Sequence, residues 1–153
     1  MGCEKPHITT KFWVEGDELK PDELTRLIGI QPTRSGEKGE LSPYPAARQR
    51  GKMNSTSFWG IEIERDSLTI EEGIQEILSL IWDRREVVVD YLENKPTVDA
   101  SVLLVVHYSD NPPKYEVSRD SVQKLAALGI SFGMDDIYRS DVGDTSSLDV
   151  EEE

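Results

Sequence analysis

The sequence predicts an α+β fold in which two strand–helix–strand units share one sheet. The first observation is a near repeat: a strand pattern, a short helix and the tripeptide Ile28-Gly29-Ile30 recur 100 residues later, ending in Leu128-Gly129-Ile130. The second is that apolar residues alternate along the chain between a period of two, typical of strands, and a period near 3.6, typical of helices. Because 153 residues is near the usual size of one domain, we expect a single domain over residues 1–140.

The first unit is predicted from three patterns near the N-terminus. Apolar and polar residues alternate from His7 to Glu15, which predicts a half-buried strand. A short helix follows from Pro21, and Gly29 is expected to end it in the left-handed conformation. After an irregular segment, residues 31–57, a second alternating pattern over Ser57–Glu64 predicts the next strand.

A helical insertion is predicted between the two units. Thr69 and Glu72 have the spacing of a capping box, and apolar residues follow at helical spacing as far as Leu92. A kink is expected near Asp83-Arg84-Arg85, and Pro96 lies just beyond the end of the helical pattern. This is the longest helical region that the sequence predicts.

The second unit begins with an unbroken apolar run inside Ser101–Tyr108, which predicts a central strand covered on both faces. Ser118 is placed to cap a helix that Gly129 ends, and Ile130–Tyr138 predicts the last strand. Since a βαβ connection places its two strands parallel, the sequence predicts a ferredoxin-like sandwich of two βαβ units with the helical insertion between them.

The charge of the chain is strongly negative and concentrated at the C-terminal end. The net charge is −13, and residues 141–153 are acidic with very few apolar side chains. Such a segment cannot bury enough surface to offset the entropy of ordering it, so a disordered acidic tail is expected there. The negative charge also argues against nucleic acid as a partner, because phosphate binding needs a basic surface.

The sequence predicts a cytoplasmic protein. No apolar run approaches the length of about 18 residues that a membrane span requires, and the first 20 residues lack a secretory signal. Cys3 is the only cysteine, which excludes an intrachain disulfide and a zinc site built on several thiolates. Both a monomer and a homodimer are compatible with these observations.

No catalytic constellation is recognisable, so the sequence predicts a protein that is not an enzyme and has no cofactor or bound metal. Only His7 and His107 could act as imidazole bases, and no nucleophile elbow is present. Glu62 and Glu64 lie two apart on a predicted strand and therefore share a face. One alternative is thus a metal-dependent enzyme that uses these surface carboxylates, although alternation alone also predicts outward charge.

The irregular segment, residues 31–57, is the one basic region of the chain. Its length is unusual for a loop inside a compact domain, and such loops are often functional. A second alternative is therefore a small-molecule or nucleotide sensor in which basic side chains of this segment bind an anion. The candidate anion ligands are Arg34, Arg48, Arg50 and Lys52.

Several motifs resemble those of a bacterial family known as domain of unknown function 4279. They are the turn Ile28-Gly29-Ile30-Gln31-Pro32-Thr33, the tryptophan-bearing strand Phe58-Trp59-Gly60-Ile61 and the segments around Trp13 and Gly129. The resemblance covers about residues 8–140. It implies no catalytic residues, and small bacterial domains of this kind are often encoded beside secreted toxins.

The leading hypothesis from the sequence is a non-enzymatic bacterial binding protein. It would be an immunity or antitoxin-like protein that inhibits a basic toxin by direct contact, because an acidic surface directs and accelerates encounters with a basic partner. The candidate partner-binding residues combine one aromatic with four acidic side chains: Trp13, Glu62, Glu64, Asp135 and Asp136.

Overall fold

The computed structural model describes residues 5–138 and confirms the mixed α+β class. The predicted acidic tail, residues 141–153, lies outside the described residues. The described chain contains five strands and five helices. In chain order they are β1 (His7–Gly16), α1 (Pro21–Ile28), β2 (Arg34–Gly36), α2 (Pro45–Gln49), β3 (Ser57–Asp66), α3 (Glu71–Trp82), α4 (Arg85–Glu93), β4 (Asp99–Tyr108), α5 (Arg119–Leu128) and β5 (Ser131–Tyr138).

All five strands belong to one sheet, in the order β2-β3-β1-β4-β5. The central strand β1 pairs antiparallel with both β3 and β4. At the edges, β2 pairs antiparallel with β3, and β4 pairs parallel with β5. The strands from the two ends of the chain therefore share a single sheet.

The parallel pairing that the sequence predicted for the first unit is wrong. The strands β1 and β3 are antiparallel neighbours, from His7 opposite Asp66 to Gly16 opposite Ser57. The reason is β2, which lies inside the segment read as irregular and runs parallel to β1 with β3 between them. The helix α1 therefore connects β1 to β2, and the chain returns through β3.

The second unit has the predicted form, since β4 and β5 are parallel neighbours joined by α5. The predicted helical insertion is also present, but it is part of a crossover between two parallel strands. It does not simply link two complete βαβ units. Its two helices, α3 and α4, connect β3 to β4, which run parallel on either side of β1. The expected kink is a break between Trp82 and Arg85.

The hydrophobic core lies between one face of the sheet and the four longer helices. Phe12, Trp59 and Val102, from three neighbouring strands, have no exposed surface, and all four helices contribute buried side chains to the same cluster. The indole nitrogen of Trp59 donates to the Thr25 hydroxyl on α1 at 2.9 Å, so this large core residue also leaves no buried donor unpaired.

Helix ends lie where the sequence predicts them at Gly29, Gly129 and Ser118, but not at Thr69. Gly29 and Gly129 have positive φ angles of 80° and 72° and end α1 and α5 in the left-handed conformation, as expected. The Ser118 hydroxyl caps α5 by accepting from the Ser121 amide at 3.1 Å. The capping box at Thr69 is wrong: Ile70 lies at the N-cap of α3 without a side-chain cap, and Glu72 accepts instead from the Ser67 hydroxyl.

One carboxylate ties α3 to the start of α5. Glu71 accepts hydrogen bonds from the Ser118 amide and from the hydroxyls of Ser118 and Ser121, at 2.7 to 2.8 Å. Partial burial raises the pKa of Glu71, but these hydrogen bonds to its charged form outweigh burial and hold the pKa below its usual value. No helix in the described part of the chain is long and apolar enough to cross a membrane.

Candidate functional site: the open face of the sheet

The sheet surface opposite the four longer helices, called the open face below, carries most of the predicted site residues. Side chains alternate along a strand, so every second residue points to this face. They start from His7 on β1, Phe58 on β3, Asp99 on β4 and Ser131 on β5, and Arg34 joins them from β2. None of the longer helices covers this surface within residues 5–138.

An aromatic stack stands at one end of the open face. Trp13 lies directly opposite Gly60, and a Cβ atom added to Gly60 would approach Cε3 of the indole to 2.3 Å. The missing side chain thus lets the indole lie flat against the strand, where it stacks on Phe58 with ring centroids 5.2 Å apart. Phe58 points to the open face but is only 7% exposed, because Trp13 covers it.

The middle of the open face contains a compact charge cluster around Glu62. The Arg34 guanidinium donates to the Glu62 carboxylate at 3.2 Å, and the Lys11 ammonium lies 3.9 Å from the same oxygen. The Glu62 side chain is only 11% exposed, and Arg34 also covers the Tyr44 ring at 4.9 Å. Glu62 and Arg34, which we predicted for two different sites, therefore neutralise each other.

The other end of the open face is acidic and contains a histidine. His7 contacts the carboxylates of Asp66 at 2.9 Å and Glu64 at 3.1 Å, and its ring lies 6.5 Å from that of His107. The hydrogen bond to Asp66 raises the pKa of His7 above 6.5, with a smaller contribution from Glu64 and an opposing one from burial.

This raised pKa makes the stability of the protein depend on pH. The folded protein binds the His7 proton more tightly than the unfolded chain, so the stabilisation is present below pH 6.5 and is lost as the pH rises through the folded pKa. We expect the variant His7→Gln to lose more stability relative to the wild type at about pH 6 than at about pH 8.5. Urea unfolding at both pH values measures this difference, and an equal loss at both would contradict it.

The two adjacent aspartates of β5 do not form one site. Asp135 points to the open face, beside Val105 of β4. Asp136 points to the opposite face, where the Tyr115 hydroxyl donates to both of its carboxylate oxygens at 3.0 Å. Partial burial and this hydrogen bond raise the pKa of Tyr115 to about 12. Of these two candidate partner-binding residues, alternation along the strand therefore leaves only Asp135 on the open face.

The open face also carries apolar side chains of β4 that we predicted to be covered. We predicted that both faces of β4 are covered, but its buried residues, Ala100, Val102, Leu104 and Val106, all lie on one face. Leu103 and Val105 point to the open face and are half-buried, so this part of the prediction is wrong. An unbroken apolar run shows that a strand is interior to its sheet, but it does not show that a second layer covers it.

The segment between β2 and β3 forms an ordered arm. The prediction that residues 31–57 are irregular is therefore wrong for this part. Backbone hydrogen bonds between Ser42 and Lys52 and between Glu40 and Asn54 pair its two sides, and α2 lies at its tip. Prolines and a five-residue helix conceal this pairing in the sequence. The predicted anion ligands Arg48, Arg50 and Lys52 are exposed in the arm and form no ion pair with any described residue.

The described part of the chain contains no set of metal ligands for the alternative function of a metal-dependent enzyme. Glu62 is paired with Arg34 and Lys11, and Glu64 contacts His7. No group of three His, Cys, Asp or Glu side chains within residues 5–138 is arranged to hold an ion. The two glutamates do share a face as predicted, but each has a different neighbour.

A comparison with protein families identifies the chain. The family model described as a domain of unknown function (DUF4279) matches residues 6–138, from the start of β1 to the end of β5. The chain belongs to the DUF4279 family. The resemblance inferred from the turn after α1 and the tryptophan of β3 is thus confirmed. No curated protein and no solved structure matches this DUF4279 chain.

Proposed function

We propose that this DUF4279 protein is a non-enzymatic binding protein whose open face docks on a basic surface of a protein partner. The observation that carries the proposal is the composition of that face. It combines the Trp13 stack and the half-buried Leu103 and Val105 with six carboxylates and only two fixed cations, Lys11 and Arg34. Aromatic and apolar side chains together with charges on the borders are features that protein interfaces commonly combine.

The charge that a partner would meet comes from the rim of the open face. Glu62 is neutralised inside the face by Arg34 and Lys11. The other carboxylates stand on its borders, and the side chains of Glu64 and Asp66 are 61% and 68% exposed. Trp13 is held flat before any partner arrives, so little side-chain entropy would be lost on binding.

The same charges argue against a second copy on this face. Two copies meeting through their open faces would bring Glu64, Asp66 and Asp135 against like charges, and such juxtapositions cost several kcal/mol. A basic partner of a different kind removes this repulsion. A basic toxin that the protein inhibits by direct contact in the cytoplasm is the class of partner that we propose.

We also propose that the sheet is ferredoxin-like with one added unit. Four of its strands follow the order β4-β1-β3-β2, in which β1 with β2 and β3 with β4 form two parallel pairs, each separated by one antiparallel strand. This order supports two split βαβ units, to which α5 and β5 are added at the β4 edge. This grouping of the strands into βαβ units differs from the one that the sequence predicted.

A charge-reversal pair tests the docking proposal. The open-face variant is Glu64→Lys with Asp135→Lys, and the matched control is Glu86→Lys with Glu93→Lys on the exposed side of α4. Partners of the wild-type protein are captured from the native host at low and high salt and identified. The affinity of both variants for the recovered partner is then measured.

We expect the open-face variant to bind its partner about tenfold more weakly or worse, and the control to bind like the wild type. High salt should weaken wild-type binding, because exposed charges are screened. Equal binding by the two variants, or the absence of any salt-sensitive protein partner, would contradict the proposal.

A second candidate function is anion binding by the basic arm, as in a nucleotide or small-molecule sensor. The observation that favours it is that Arg48, Arg50 and Lys52 are exposed and without an ion pair among the described residues. A thermal-shift screen with nucleotides and phosphorylated metabolites tests it, since a ligand of the folded state raises the melting temperature. The rise should disappear in the variant Arg48→Ala with Arg50→Ala, and a flat screen would contradict this function.

A further inference from the structure

The strand β5 presents a long free edge. It is the outermost strand of the sheet, and its outer side pairs with nothing in the part of the chain that the structure describes. Alternate residues of an edge strand direct their N–H and C=O groups outward, where they can pair with another strand. The opposite edge is different, because β2 has only three residues and leads directly into the arm.

Apart from the charges of Asp135 and Asp136, the side chains of β5 do not guard this edge. Natural edge strands are usually protected by lysine, proline, a bulge or a very short length. Residues 131–138 contain neither lysine nor proline, and they pair with β4 in continuous register over eight residues. On the helix side of β5, Phe132, Met134 and Tyr138 are 39%, 41% and 63% exposed. The strand thus offers both backbone groups and apolar surface.

We propose that the free edge of β5 pairs with an extended basic segment of the protein partner, which adds a sixth strand to the sheet. Addition of a strand to an exposed edge is a common mode of peptide recognition. The two aspartates of β5 define the chemistry of the segment: Asp135 stands on the open face and Asp136 on the helix face. Lysine or arginine on either side of the added strand would therefore meet a carboxylate.

A second copy of the chain fits this edge poorly. Two β5 strands paired antiparallel about a two-fold axis would bring the adjacent Asp135 and Asp136 of one copy close to those of the other. Like charges across paired strands are destabilising, whereas opposite charges stabilise the pair. This inference rests on the proposed function, because the added strand belongs to the same basic partner that the open face would dock on.

The experiment uses the full-length protein and a defined probe. The probe is an eight-residue peptide of alternating lysine and valine, matched in length to β5. The first control peptide has the same side chains but a methyl group on every backbone nitrogen, which prevents it from donating to a strand. The second has glutamate in place of lysine. Binding and the hydrogen exchange of individual backbone amides are followed by NMR.

We expect the lysine peptide to slow exchange at alternate amides of residues 131–138 and neither control peptide to do so. The variant Asp135→Asn should weaken peptide binding about threefold, which is the size of one cross-strand charge pair. Equal binding of the methylated peptide, or no change in β5 exchange at saturating peptide, would overturn the strand addition. It would leave docking on the open face intact, since the charge-reversal pair tests that separately.

Self-association is the other informative outcome. If the free protein already forms a dimer with slowed exchange at β5, the edge is occupied by a second copy and the inference is wrong. Sedimentation of the wild-type protein without peptide distinguishes this case, and a monomer with freely exchanging outer amides supports the inference.

Discussion

Replacement of Gly16 by alanine is expected to lower the free energy of unfolding by about 3 kcal/mol, the largest loss among the substitutions considered for this protein. Gly16 is the last residue of β1, and its backbone passes close to the segment that leads into β4. A Cβ atom there would lie 2.3 Å from the carbonyl oxygen of Thr97 and 2.7 Å from Cα of Val98. Both neighbours are backbone atoms, so neither can rotate away as a side chain could.

Relief of this clash requires the start of β4 to move away from β1. Val98 is buried in the core and β4 pairs with β1 along most of its length, so such a movement would disturb both packing and pairing. Urea unfolding followed by circular dichroism measures the loss of stability in Gly16→Ala.

The variant Gly129→Ala is the matched control for this experiment. Gly129 has a left-handed φ angle of 72°, but a Cβ atom there would meet nothing within 4 Å. Its replacement should therefore cost only the strain of the left-handed conformation, about 1 kcal/mol. If Gly16→Ala loses no more stability than the control, then the close approach to Thr97 does not constrain this glycine.

Local patterns in the sequence correctly predicted those structural elements that depend on a few neighbouring residues. The alternation of β1, the glycine that ends α1 and the serine that caps α5 each depend on a few neighbouring residues, and the structure has them as predicted. The pairing of β1 with β3 depends instead on β2, a strand of three residues. Three residues cannot show a period of two, so the first unit was divided wrongly.

The side-chain contacts of the candidate site could be predicted only in part, because some of them depend on which strands pair. A period of two correctly places Glu62 and Glu64 on one face of their strand. It cannot show that β2 brings Arg34 beside Glu62, because that contact depends on the register between strands distant in sequence. The role of Gly60 was missed for the same reason, although a glycine inside an alternating strand is itself a signal of close approach.

Replacement of Gly60 by alanine should lower the free energy of unfolding by about 2 kcal/mol, because it displaces the indole of Trp13. The added Cβ atom would lie 2.3 Å from Cε3 and 2.5 Å from Cζ3 of the ring. The indole would have to leave its stack on Phe58, which would then lose its cover. Within the proposed function, the same variant should also weaken binding of the partner, since the aromatic end of the open face would be disordered.

A double-mutant cycle shows whether the cost of alanine at position 60 comes from the indole. In the background Trp13→Val, the ring that the Cβ atom would strike is absent, and the remaining close neighbour is the Phe12 carbonyl oxygen at 3.3 Å. Alanine is also favoured over glycine inside a strand by roughly 0.5 kcal/mol, so Gly60→Ala should then change stability very little. Unfolding of the wild type, both single variants and the double variant measures the coupling between the two sites. An equal cost in both backgrounds would mean that the indole does not rest on Gly60, and the aromatic end of the open face would then not be ordered in advance of binding.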